Sequence, residues 1–532
     1  MSILERLGLR RKTPVRLTAT VTDPVLGDAD HARALLRGEI LNGGESFALR
    51  GADWDMKRAS EAFRSHVHGF IWLRDLAAAL PQDKGADFAR PIVGGWLERY
   101  EEPDEMAWRA DRAGARIALW SLYAPYVLGA DAGIRKAALK HMLEAAAHID
   151  RRFTSAPAGL PRLAAAAGFV VAALMVEGAE RFLKKAEKRF TEAADEAVMP
   201  HGLPASRAPA DLIAIMEWLH VVRSAYAARR RDWPEAQQAV DGRVRAGLRA
   251  ARMGDGRFTA LHGGNVASFA RIEHVLSFPG LASRGAGAGA ESGLQRLEAG
   301  RTVLLMDAGP PPAPAQNEAA HAGALSFEMS DEHERVVVNV GGGRGIRRGI
   351  DARVATAVRV TAAHSTLTLA DTNQSLIAAG KPLGAGVDSV EVERDETDQG
   401  TLVTAVHDGY QRRFGLMHRR RLFLSPDGRD VRGEDRLMPG GKKRVKAGLE
   451  VALRFHLAPG TDITPTADMR GALLRLPSGA LWQLKTDAGT VSVDESLWIG
   501  EEGRALRTRQ IVIADETVPD GWRGRWSFKK MG

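Results

Sequence analysis

Residues able to do acid–base chemistry stand in a few short stretches of this 532-residue chain. "FTALHGGNVASF" holds His262 and Asn265, and "HDGY" brings His407, Asp408 and Tyr410 together. Imidazole and phenol take and return protons at reacting atoms, so His262, Asn265, His407 and Tyr410 are candidate catalytic groups. Each stretch also has a plainer reading, the first as a loop that ends a helix and the second as a turn. Strand alternation puts residues 408 and 410 on one face and His407 on the other, which weighs toward the turn. Arg207 in "PASRAP", and Arg454 with His456 in "LRFHL", form a second candidate class. A bidentate guanidinium clamps a carboxylate or sulfate, although most arginines in so basic a chain are solvated surface charges.

A third group is histidine at the ends of alternating segments. "AHAGALSFEMSDEHERVVVNVG" sets His321 ahead of two such segments and ends with Asn339 before glycines, and "TAAHSTLTLAD" supplies His364. Read as structure alone, these are hydrogen-bonded core histidines, with Asn339 capping a turn.

Composition narrows the chemistry. Cysteine is absent, which excludes disulfides, thiolate metal sites and cysteine nucleophiles. The formal charge of +8 favours an acidic partner, or reflects solubility in an arginine-rich proteome. No nucleic-acid motif with interleaved aromatics is present, so nucleic acid is not an expected partner. "GGGRGIRRG" (341–349) lacks the helix and the Lys-Ser/Thr of a phosphate loop, and reads as an anion-binding rim or a surface loop. No GxSxG elbow occurs. The apolar runs, of which "AAAAGFVVAALMV" is the longest, fall short of a membrane span, so no transmembrane helix is expected. The start "MSILERLGLRRKTPVRL" has no apolar core of signal-peptide length, which points to the cytoplasm.

The elements that must position these residues follow two different periods. After an N-terminal extension (1–58), residues 59–281 place apolar side chains at three- and four-residue intervals, as in "HGFIWLRDLAAAL", "ADRAGARIALWSLYAPYVL" and "LAAAAGFVVAALMVEGAERFLKKAEKRF". Such a run of helices is compatible with an α/α toroid or a helical solenoid. A Gly/Ala-rich linker (282–293) follows. From 294 to 532 the period becomes two, in β-branched segments such as "RTVLLMD", "RVVVNV", "LEVALRFHL" and "RQIVIAD" separated by "SPDG" and "LPSG" turns. The expected architecture is multidomain, α then β: a helical toroid followed by a large antiparallel β-sandwich.

On "HAGALSFEMS", "VVVNVGGG", "TAAHSTLTLAD", "HDGYQRRFGLMHRR" and "LRFHLAPG", the second half resembles the heparinase II/III-like polysaccharide lyases. "FIWLRDLAA" and "GLPASRAPADLIAIMEWLHVVRSAY" extend the resemblance more thinly into the first half. The resemblance implies β-elimination on an acidic, uronate-containing polysaccharide or oligosaccharide, and a place in the cell envelope. It further implies a divalent metal, most often zinc, held by His321, Asn339 and His364; two imidazoles and an oxygen suit zinc, while an amide in place of a carboxylate weakens the site. Two departures stand out. Ala319 and Gly323 occupy the family's catalytic histidine and its aspartate, and no tyrosine stands in the toroid stretches where active relatives carry one. A catalytically degenerate glycan-binding or scaffolding protein is therefore the alternative. A toroid glycoside hydrolase would need two facing carboxylates, for which Asp111 and Glu217 are the candidates.

Overall fold

The computed structural model describes residues 15–531, apart from 44, 50–52, 130, 281–292, 343–351, 442, 444 and 501–502. The expected linker up to residue 292, and most of "GGGRGIRRG", lie outside the described residues. The chain divides into two compact units, one of residues 1–199, 213–242 and 277–282, the other of residues 200–212, 243–276 and 283–532.

The first unit is helical, with Glu61–His68, Leu73–Ala79, Gln82–Arg99, Ala110–Leu122, Ala132–Arg152, Leu160–Met175 and Leu183–Ala197 as its main helices. Where periodicity alone reads one helix through "HGFIWLRDLAAAL", the chain breaks. Glu61–His68 closes at Gly69, and Phe70 takes a left-handed φ of 57° before Leu73–Ala79 begins. Ala110–Leu122 is buried along its whole length, because glycines let it lie against Leu160–Met175. A Cβ at Gly168 would meet the Gly114 carbonyl carbon and oxygen at 2.2 and 2.0 Å, so neither helix tolerates a side chain at that crossing. Arg116 sits in this core with its guanidinium 4.1 Å from the Trp96 ring centroid. It donates to His141 Nε2 (2.9 Å) and to the His68 carbonyl (2.9 Å), and burial lowers its pKa to about 9. Among the described residues no helix is long and apolar enough to cross a membrane.

The second unit carries two antiparallel sheets. One runs in the order Asp462–Pro465, Gly471–Arg475, Leu481–Thr486, Trp522–Met531, Asp430–Pro439, Leu416–Leu424, Gly400–His407, Val390–Thr397. The other runs Thr490–Ile499, Ala505–Glu516, Glu450–Leu457, Glu334–Val338, Phe327–Asp331, Thr302–Asp307, Leu294–Ala299, and Leu367–Leu369 also pairs with Glu450–Leu457. Alternation sends Leu453, Phe455, Leu457, Ile511 and Ile513 into a shared core with Phe327, Trp526 and Phe528. Asp430–Pro439, Thr490–Ile499 and Trp522–Met531 have no counterpart among the β-branched runs, because polar and charged residues interrupt their apolar pattern.

The unit also includes residues 200–212 and 243–276, which helical periodicity assigns to the first half. Side chains explain this. Arg207 reaches Gly293 and Pro310, and Arg335 reaches Asp255 and the Phe258 carbonyl, so these segments are tied to the strands.

Candidate functional site

Loops and strand ends of the second unit gather His262, Asp307, His321 and His364, and the first three line a narrow cleft with Gln374 and Ser375. Asp307 closes Thr302–Asp307 and is 2% exposed. The Arg207 guanidinium lies 2.5 Å from its Oδ1, and His262 Nε2 lies 3.1 Å from its Oδ2. Burial opposes ionisation of this carboxyl, yet Arg207 and His262 hold its pKa below the ordinary value. A buried charge so enclosed is retained only because both partners are present.

The hydrogen bonds fix most of the imidazole protons. His262 Nδ1 accepts from the His321 backbone N–H at 3.4 Å, which leaves the Nε2 proton facing Asp307. His364 donates from Nδ1 to the Val360 carbonyl (2.9 Å), so its Nε2 accepts from His321 Nδ1 at 3.0 Å. Burial lowers the His364 pKa to about 4. Asn339 turns its Oδ1 to the Ser365 N–H (3.0 Å) and donates from Nδ2 to Glu328 (3.3 Å). Glu328 is fully buried and ion-paired with Arg335 at 2.8 Å, and burial pushes its pKa above the ordinary value.

As a cation site this set does not fit. His321 and His364 bond each other, and the Asn339 carboxamide is committed at both ends. Among the described residues no group of three or more His, Cys, Asp or Glu side chains is placed to hold a metal.

The other sequence candidates are separate from the cleft. His407 and Tyr410 are 0% and 1% exposed. Strand Gly400–His407 ends before Asp408, so Tyr410 lies in the turn that leads into Gln411–Phe414, and its hydroxyl donates to the Leu367 carbonyl (2.8 Å). His407 belongs to a relay inside the sandwich. His418 donates from Nε2 to Asp435 (2.8 Å), its Nδ1 takes the His407 Nε2 proton (3.1 Å), and His407 Nδ1 accepts from the Gly409 N–H (3.0 Å). Asp435 also binds Arg420 (2.8 Å) and the Trp526 indole (2.8 Å). Neither His407 nor Tyr410 can exchange a proton with a ligand from these positions.

His456 is buried, bonded to Ser496 Oγ (2.7 Å) and the Ala362 carbonyl (2.9 Å), so its role is packing rather than ligand binding. Arg207 likewise spends its donors on Asp307 and backbone carbonyls. Arg454 is half-buried and reaches Gln510 at 3.4 Å. Asn265 is half-buried, and no described residue hydrogen-bonds its Oδ1. In the first unit Asp111 is closed onto Arg109 (2.6 Å) and Ser65 (3.1 Å).

Sequence reasoning misses Asp307, a lone charge at a strand end, Glu328, which stands between apolar residues, and Arg335, which ends a charged run. Arg420 was hidden in "HRRRLFL"; only its inward register distinguishes it from its neighbours.

The sequence model of the family described as "Heparinase II/III-like, C-terminal" matches residues 282–527. Residues 282–527 are thus similar to the C-terminal domain of the heparinase II/III-like proteins. The fold agrees with that of heparinase III, at a TM-score of 0.74 and 14% identity over 99% of this chain and 91% of that one. The heparan sulfate lyase HepC from Pedobacter heparinus matches at a TM-score of 0.61 and 15% identity, over 94% and 82% of the two chains. These likenesses establish the toroid-plus-sandwich architecture. Among curated proteins, FtsZ-localized protein C of Caulobacter vibrioides is 29% identical, over 99% of this chain and 92% of that protein.

Two glycine contacts explain how this heparinase-like chain departs from its family pattern. A Cβ at Gly323 would come within 2.5 Å of the His364 ring, so the side chain that the pattern expects there has no room beside this imidazole. Ala319 packs against Gly263, whose own Cβ would meet the Ala319 carbonyl at 2.8 Å.

Proposed function

We propose that this protein is a binding or scaffolding member of the heparinase II/III-like family that works where FtsZ assembles. One observation carries the reading: the imidazoles at the family's cleft, His262, His321 and His364, are each under 5% exposed and hydrogen-bonded within the protein. β-Elimination needs a base at the sugar C5 proton and an acid at the leaving oxygen, both in reach of a bound polymer. The cleft is also too narrow to admit water, far below the ~300 Å3 at which ligand pockets usually begin. Likeness to FtsZ-localized protein C across nearly the whole chain supports the location.

The test has two arms. A fluorescent fusion is imaged with labelled FtsZ in dividing cells, and the purified chain is incubated with uronate polymers while unsaturated sugar ends are followed by ultraviolet absorbance. Coincident rings without absorbance growth are expected; catalytic growth of the absorbance would overturn the reading. The second reading, a lyase acting on an acidic polysaccharide, is favoured by the His262–Asp307 pair, which is a poised base if the cleft opens.

A further inference from the structure

The sheet that contains Leu416–Leu424, Asp430–Pro439, Trp522–Met531 and Leu481–Thr486 sends alternate side chains into the core and the others outward. Register sorts the outward residues into rows. Arg419, Arg436 and Arg523 are partners across three adjacent strands, and in the next row Arg421 stands beside Glu434 and Glu434 beside Arg525. Lys529 and Lys485 continue the same face on Trp522–Met531 and Leu481–Thr486. Like charges directly opposite each other oppose strand pairing, so a row of three arginines is kept at a cost to the sheet.

On these four strands two outward carboxylates answer the cations. Glu434 meets Arg419 at 2.8 Å and Arg525 at 3.2 Å, and Asp430 meets Arg432 at 2.6 Å. Arg421, Arg436, Arg523, Lys485 and Lys529 are exposed and form no ion pair with any described residue. The basic field ends toward the edge strand Val390–Thr397, where Glu391, Glu393 and Asp395 are exposed. Apolar side chains border it at the other end. Met531, 43% exposed, is the cross-strand partner of Leu481, and Leu473, 37% exposed, is the partner of Gln483, which stands beside Lys529.

The face selects among polyanions. A nucleic acid strand needs open rings on which bases stack, but the outward aromatic of these strands, Phe423, is half-buried with the Arg432 guanidinium over it. A bilayer needs neither groove nor stacking platform. It is attracted by unpaired cations spread over a broad face, and Leu and Met side chains beside them enter the headgroup boundary.

We infer that this basic face, centred on Arg421, Arg436 and Arg523, docks the protein on an anionic lipid bilayer. It uses none of the cleft residues and requires no turnover, so it holds whether or not the chain gathers at FtsZ.

The full-length protein is sedimented with phosphatidylcholine vesicles containing about 30% phosphatidylglycerol, and with phosphatidylcholine alone, at ~0.1 M and ~0.5 M salt. Binding to the anionic vesicles, at the lower salt only, is expected. Arg421→Gln, Arg436→Gln and Arg523→Gln together should weaken it roughly a hundredfold, or about fivefold for each charge near the surface. Leu473→Ala with Met531→Ala should weaken it by about tenfold and leave its salt dependence unchanged. Lys184→Gln, Arg507→Gln and Arg509→Gln together remove equal charge from exposed positions outside the face, and should leave affinity within about threefold. Circular dichroism confirms that each variant is folded. No sedimentation, equal sedimentation with both vesicle types, or equal loss in the two triple variants overturns the site. Capture of a single-stranded oligonucleotide through the same three arginines, without vesicle binding, overturns the bilayer in favour of nucleic acid.

Discussion

Two places in the second unit differ in the way that matters for function. The cleft at His262, Asp307, His321 and His364 has the residue types of an active site, yet His262 meets Asp307, His321 meets His364 and His364 meets the Val360 carbonyl inside the protein. A bowl lined by Asp255, Arg257, Val266, Trp498, Arg504 and Leu506 holds no histidine, yet has about four times the atom-free space. Reactive residue types therefore do not by themselves mark a working site; room for a ligand is needed as well. The cleft is closely packed, whereas the bowl has room for a small molecule.

The sharpest way to break this contrast is Arg207→Ala. Removing the guanidinium leaves Asp307 buried with only His262, and unfolding by denaturant should show a loss of about 3–5 kcal/mol. A loss below ~1 kcal/mol would mean that the cleft is not held by its ion pair.

Acid is the next lever. Burial lowers His364 from 6.5 to about 4 and His456 from 6.5 to about 3. The folded chain thus binds fewer protons than the unfolded chain below pH 6.5. Their contribution is complete above that value and drains away as pH falls toward 4 and then 3, by about 1.4 kcal/mol per pH unit for each group. Melting temperatures from pH 7.5 to 5 should fall accordingly. A flat stability profile would show that both imidazoles are solvated.

Asn339→Asp should cost about 1–3 kcal/mol, because the amide that donates to Glu328 becomes a second buried carboxylate. Mass spectrometry of the metal content adds a separate reading: wild type is expected without stoichiometric zinc, and zinc should not raise its melting temperature. Stoichiometric zinc lost in His364→Ala would restore the metal centre that the family resemblance implies. The smallest effect belongs to Arg504→Gln, whose exposed side chain should shift stability by no more than ~0.5 kcal/mol in denaturant unfolding.

Much of the fold was legible because periodicity is a local property. "LEVALRFHL" alternates and becomes Glu450–Leu457, and "AGIRKAALKHMLEAAAHIDRRF" has helical spacing and becomes Ala132–Arg152. The strand Trp522–Met531 escaped because lysines and arginines on its outer face dilute the pattern. At the cleft, the sequence brought out His262, His321, Asn339 and His364, which do gather, but it also brought out His407 and Tyr410, which the sandwich buries elsewhere.

By itself, then, the sequence determined the order of helix and strand, the family resemblance, the absence of thiol chemistry and which histidines stand at strand ends. Tertiary structure alone decided that Arg207 answers Asp307 across 100 residues, that Asn339 bonds Glu328 and Ser365, and that Trp498 faces the bowl with Arg257 and Arg504. The physical reason is that hydrogen-bond capacity is shared out among neighbours distant in the chain. Whether an imidazole is spent or available depends on partners that no local pattern encodes.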